Sequence, residues 1–89
     1  MKIKLELFGA SRDISDNDHL EIEVQNKASI NDLRNEIIKY ISKNFSDNES
    51  YIKIVKSSAF CSENNEIISD NYKITKDQKI GIIPPIGGG

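Results

Sequence analysis

The sequence predicts an α+β domain in which one main helix covers one face of a mixed β-sheet. Three observations carry that prediction. Apolar and charged residues alternate at the start of the chain, the apolar spacing changes to three and four residues from Ile30 to Phe45, and a short apolar strand precedes two prolines near the end. The 89 residues suffice for one domain, which at this size hides roughly 60–65% of the surface its unfolded chain exposes. There is space for one modest core and none for a deep private active site.

Ile3, Leu5 and Leu7 alternate with Lys2, Lys4 and Glu6, a period of two that marks a half-buried strand over residues 2–8. A polar stretch comes next, at 9–18. Leu20, Ile22 and Val24 then repeat the alternation against Glu21, Glu23 and Gln25, which predicts a second strand and a hairpin with a long loop. Ile30, Leu33, Ile37, Ile41 and Phe45 form the apolar stripe of an amphipathic helix of about 16 residues. Ser29 fits its N-cap, and Asp32 its first turn, where negative charge is favoured.

After a polar break at 46–50, residues 51–55 and 59–61 are expected to be extended. The run Glu63-Asn64-Asn65-Glu66 is a turn candidate because Asn tolerates the left-handed backbone region. Ile67 and Ile68 then make a short strand. Residues 79–83 are apolar on both faces, as a strand in the middle of a sheet should be. Strand, strand, helix, short strands and a closing strand is the β-grasp, or ubiquitin-like, order. Residues 1–83 are therefore expected to form the domain and 84–89 an extended tail.

Composition removes several function classes. A hydrophobic fraction of 37%, a charged fraction of 29% and a net charge of −2 describe a globular chain without the basic footprint of a nucleic-acid binder. The first residues lack the apolar run of a signal peptide, and no stretch approaches the ~20 apolar residues of a membrane span. A cytosolic protein is expected. Cys61 is the only cysteine, so an internal disulfide, a cysteine-only zinc site and a cysteine-held iron–sulfur cluster are excluded, and with the last the ferredoxin reading of a small β-grasp domain.

The C-terminal end carries the functional signal. The sequence closes Ile83-Pro84-Pro85-Ile86-Gly87-Gly88-Gly89, so a strand passes through two rigid residues into a run without side chains. Each proline fixes φ and removes a backbone donor, which stops the strand and projects the last residues away from the sheet. Ordering each residue after Ile83 costs roughly 1–2 kcal/mol, whereas burying Ile86 returns only about 1.5–3 kcal/mol. The tail is expected not to hold a fixed place on its own domain. A thread with no bulk suits a narrow channel in another protein, where absent Cβ atoms allow close backbone approach. The chemistry would then sit on the terminal carboxylate. Adenylation with ATP makes it a mixed anhydride, and a sulfur nucleophile can displace AMP to leave a thiocarboxylate.

These residues resemble a known family. The segment Leu7-Phe8-Gly9-Ala10-Ser11-Arg12-Asp13, the pair Asp32-Leu33 opening the helix, and Ile82-Ile83-Pro84-Pro85-Ile86-Gly87-Gly88-Gly89 look like the sulfur-carrying small subunits of molybdopterin synthases, in the MoaD/ThiS group of ubiquitin-like proteins. A diglycine end is shared with thiamine sulfur carriers and with ubiquitin-like protein modifiers, while the Pro-Pro before it favours the molybdopterin member. The resemblance implies that Gly89 is adenylated by an enzyme related to ubiquitin-activating enzymes and converted by a sulfurtransferase system to a thiocarboxylate. It implies that Pro84, Pro85, Ile86, Gly87 and Gly88 line the path into the large subunit, which supplies the catalytic side chains. No bound cofactor or metal is implied, since ATP is used by the activating partner. Phe8, Arg12 and Ile82 are possible interface residues, although Leu7, Phe8 and Ile82 are mainly core candidates that only exposure would promote to interface anchors. Departures from the pattern are Gly87 in place of a more usual Ser, Thr or Ala, no Gly-Asp turn at 76–79, and extra polar residues at 60–68.

Plainer readings apply elsewhere. The glycines cannot be a phosphate-cradling loop, which needs a helix after it. Asp13, Asp16 and Asp18 lack the spacing of a calcium loop and read as a solvated turn. Cys61 has no expected partner to lower its pKa, and His19 has no nucleophile in view. Arg12 serves equally as a partner contact for a carboxylate or as a solvated charge. An ordinary β-grasp binding module with incidental glycines remains open as an alternative.

Overall fold

The computed structural model describes residues 1–8 and 19–84. Its elements are β1 (Lys2–Leu7), β2 (His19–Glu23), β3 (Ala28–Ser29), α1 (Ile30–Asn44), α2 (Glu49–Ser57), β4 (Ala59–Cys61), β5 (Ile67–Ile68), β6 (Lys73–Ile74) and β7 (Gln78–Ile83). Among the described residues the main sheet has five strands in the order β2-β1-β7-β4-β5, and β3 pairs with β6 apart from it. β1 runs antiparallel to β2 and parallel to β7, so the sheet is mixed, as expected.

The alternation in β1 works as its sequence predicts. Ile3, Leu5 and Leu7 are buried on the helix side with Ile80 and Ile82 of β7 and Phe60 of β4. α1 closes that core with Ile30, Leu33, Ile37 and Ile41, all fully buried. The start of α1 is fixed by a capping box. Ser29 Oγ accepts from the Asp32 amide at 3.1 Å, and Asp32 Oδ2 accepts from the Ser29 amide at 2.9 Å. The Ser29 amide, first, and then the Ser29 hydroxyl side chain hold the Asp32 carboxyl below its ordinary value of 3.8.

Residues 51–55 are helical, not extended. Ile52, Ile54 and Val55 favour strands by propensity, but tertiary packing overrides that preference. Asn48 caps α2 by accepting from the Tyr51 amide at 3.2 Å. Tyr51 and Val55 then fall on one helical face. Val55 is fully buried, and the Tyr51 ring meets Phe45 edge-to-face at 5.2 Å. The 46–50 break becomes a tight reversal in which Ser46 and Asp47 both have positive φ. The turn at 63–66 is as expected, with Asn65 at φ 63° and the Ser62 amide donating to the Glu66 carbonyl at 2.8 Å.

Candidate functional site at the end of the central strand

β7 lies in the middle of the sheet and leads to Pro84, which is half-buried. Its parallel register with β1 pairs Leu7 with Ile82. Phe8 and Ile83 therefore emerge side by side at one end of the sheet. β4 adds Ala59 opposite Ile83 and Cys61 opposite Gly81, and β5 adds Ile67 opposite Cys61. Successive strand residues point to opposite faces. Since Ile80, Ile82 and Phe60 face the helices, Gly81, Ile83, Ala59, Cys61 and Ile67 belong to the face that neither described helix covers.

That face carries an apolar strip. Phe8 is 39% exposed and Ile67 68% exposed, the largest exposures among big apolar side chains of the described residues together with Tyr72. Polar groups border the strip. Lys79 Nζ pairs with Glu6 Oε2 at 3.2 Å across β1 and β7, and the Lys79 amide donates to Glu63 Oε1 at 3.0 Å. An apolar centre with a charged rim is the pattern of a protein contact.

Of the residues singled out in the sequence, the structure separates two. Phe8 stands on the open face. Ile82 is fully buried against the helices, so it is a core residue and not a surface contact, which its parity in β7 decides. Arg12, Pro85, Ile86, Gly87, Gly88 and Gly89 lie outside the described residues. Cys61 is a buried free thiol, and His19 sits half-buried opposite Glu6 in β2. Sequence reasoning missed Ile83, Ala59 and Ile67 on the open face, and it missed Gly81. A glycine inside a strand is a signal of close approach by a neighbour, and here it is correct.

Among the described residues no group of three or more His, Cys, Asp or Glu is placed to hold a metal ion. No described helix is long and apolar enough to cross a membrane. A recess of about 1050 Å³ is an open groove between α1 and the 23–28 segment, on the far side from the end of β7. Its lining includes Lys27, Asp32, Glu36 and Lys39, which the fold does not gather into a catalytic arrangement.

Comparison with known proteins agrees with this architecture. Among solved structures, SAMP1 from Haloferax volcanii is similar over 100% of both chains, with a TM-score of 0.67 and 12% identity. A protein of Pyrococcus furiosus assigned as molybdopterin converting factor, subunit 1, is similar over 96% of this chain and 98% of its own, with a TM-score of 0.69 and 24% identity. A second structure of the H. volcanii small archaeal modifier protein 1 covers the same shares, with a TM-score of 0.69 and 11% identity. At these identities the likeness establishes the β-grasp fold. No curated protein matches the sequence. The ThiS family, in contrast, matches residues 5–89, nearly the whole sequence. By fold and by family, the chain belongs to the ThiS family of small ubiquitin-like sulfur carriers.

Proposed function

We propose that this protein is the sulfur-donating small subunit of a molybdopterin synthase, working in the cytosol through the carboxylate of Gly89. The observation that carries the reading is the run Pro84-Pro85-Ile86-Gly87-Gly88-Gly89 placed directly after the central strand β7. In this reading the β-grasp domain is the handle, and 84–89 are the part that travels into a partner.

The carboxylate oxygen of Gly89 attacks the α-phosphate of ATP, held by a ubiquitin-activating-type enzyme, and pyrophosphate leaves. A nucleophile at the oxidation level of sulfide, provided by a sulfurtransferase, then forms a C–S bond as the bond to AMP breaks. The resulting thiocarboxylate enters the large subunit, whose side chains catalyse transfer of the sulfur to a pterin precursor. This chain contributes the acyl carrier and the docking surface, not a catalytic side chain. Phe8 and Ile83 on the open face, with Pro84 beside them, make the contact that aligns the tail, and Arg12 offers a charged contact to a partner carboxylate.

The Pro-Pro pair and the likeness to the P. furiosus protein favour the molybdopterin pathway. The triple glycine and the likeness to SAMP1 favour, respectively, a thiamine-type carrier and a protein modifier joined to lysines. Intact mass of protein purified from its own cells tests the common step, because replacing one carboxylate oxygen by sulfur adds roughly 16 Da, the mark of a captured sulfur nucleophile. A gain confined to the C-terminal peptide supports the carrier. An unmodified mass in cells that are making molybdenum cofactor overturns it, and conjugates of high mass that vanish on deletion of Gly89 point to the modifier.

A further inference from the structure

Gly81 is tightly crowded on the open face. A Cβ built there would lie 2.7 Å from Cys61 Sγ and 2.8 Å from Phe8 Cε2. Both are shorter than real Cβ contacts, so the thiol and the ring already fill the volume that a methyl would need. The contact is not a consequence of chain neighbourhood. Phe8 comes just after the end of β1, while Glu6 is the residue that pairs with Gly81. The ring therefore reaches back, diagonally, across β7 to lie over Gly81.

We infer that Gly81 is a positioning residue for docking. Its missing side chain leaves a seat on β7, walled by Cys61, in which the Phe8 ring rests, and that seat sets the contour the open face presents to the large subunit. The inference rests on the docking role given to Phe8 above. A ring held in a seat binds without first being immobilised, so displacing it weakens association even where the fold survives.

A double-mutant cycle tests this, with titration of the molybdopterin synthase large subunit of the same organism against wild type, G81A, F8A and F8A/G81A. F8A and G81A should each weaken binding by about tenfold or more, and the double variant should bind no more weakly than F8A, because Gly81 acts only through Phe8. Losses that multiply overturn the inference, as does wild-type affinity for G81A beside a weakened F8A. Wild-type affinity for F8A overturns the docking reading itself. Should G81A fold poorly, C61A/G81A relieves the 2.7 Å contact with the thiol and keeps the 2.8 Å one with the ring, so it is expected to bind more weakly than C61A, and affinity equal to that of C61A overturns the inference. A partner-free readout is the ring-current shift of the Gly81 α-protons, expected in wild type and lost in F8A. Identical Gly81 shifts in the two proteins would remove the seat.

Discussion

Arg34 of α1 donates through Nη2 to the Ser58 carbonyl at 3.0 Å, joining the main helix to the residue that caps the C-terminus of α2. The same nitrogen stands 3.1 Å from Asp70 Oδ1, and the guanidinium lies 5.1 Å from the centre of the Phe60 ring. One side chain thus fastens α1, the end of α2, the start of β4 and the segment before β6. Among the described residues its Nε is buried without a hydrogen-bond acceptor, so the fastening rests on the other contacts.

Arg34→Ala should therefore lower stability by about 1.5–3 kcal/mol, the range for a charge-assisted bond to a carbonyl. Asp70 is largely exposed, and Asp70→Asn should lower it by no more than about 1 kcal/mol. Urea unfolding of the two variants measures the contrast. Equal losses would place the value in the ion pair and not in the bond to Ser58.

Ser29→Ala removes one half of the capping box and should destabilise by about 0.5–2 kcal/mol. Asp32 gives the same cap a pH dependence. Its carboxyl is held below the ordinary value in the folded protein, so its contribution is fully present above the unfolded pKa and fades as pH falls through the folded one. Stability measured from neutral pH into acid should lose a component that Asp32→Asn lacks. Parallel curves for the two proteins would refute it.

Asn48→Ala should lower stability by about 1 kcal/mol and reduce helical circular dichroism, because Asn48 caps α2. An extended 51–55 segment would have lost neither.

Deleting Gly88 and Gly89 should change unfolding stability by less than about 0.5 kcal/mol while abolishing the mass gain at the C-terminus. Both quantities come from one preparation, by denaturant titration and mass spectrometry. A large loss of stability would mean that the tail belongs to the folded domain.

Where one period dominated, the sequence was sufficient. β1 buries every residue that its spacing nominated, α1 all but the half-buried Phe45, and β2 buries Ile22 and leaves Leu20 half-buried, while β7 is central because it is apolar on both faces. In 51–55 two periods competed. Ile52 and Ile54 alternate as in a strand, while Tyr51 and Val55 stand four apart as in a helix, and the deciding Asn48 cap lies outside the segment. β3 and β6, at two residues each, are too short to show any period. For the candidate site, the terminal motif was legible because prolines and glycines act through the backbone. Which of Phe8 and Ile82 reaches solvent was not, since that depends on strand register and on which face the helices cover.

The parallel pairing of β1 with β7 also determines how the domain bears load. A partner that draws the tail along the axis of β7 pulls against the hydrogen bonds to β1 and β4 on both sides of that strand. Those bonds lie across the direction of pull, so they resist together in shear and do not open one at a time. The central position of β7 makes the tail a tether with a firm mechanical anchor, able to be tugged through a narrow passage while the rest of the fold stays closed.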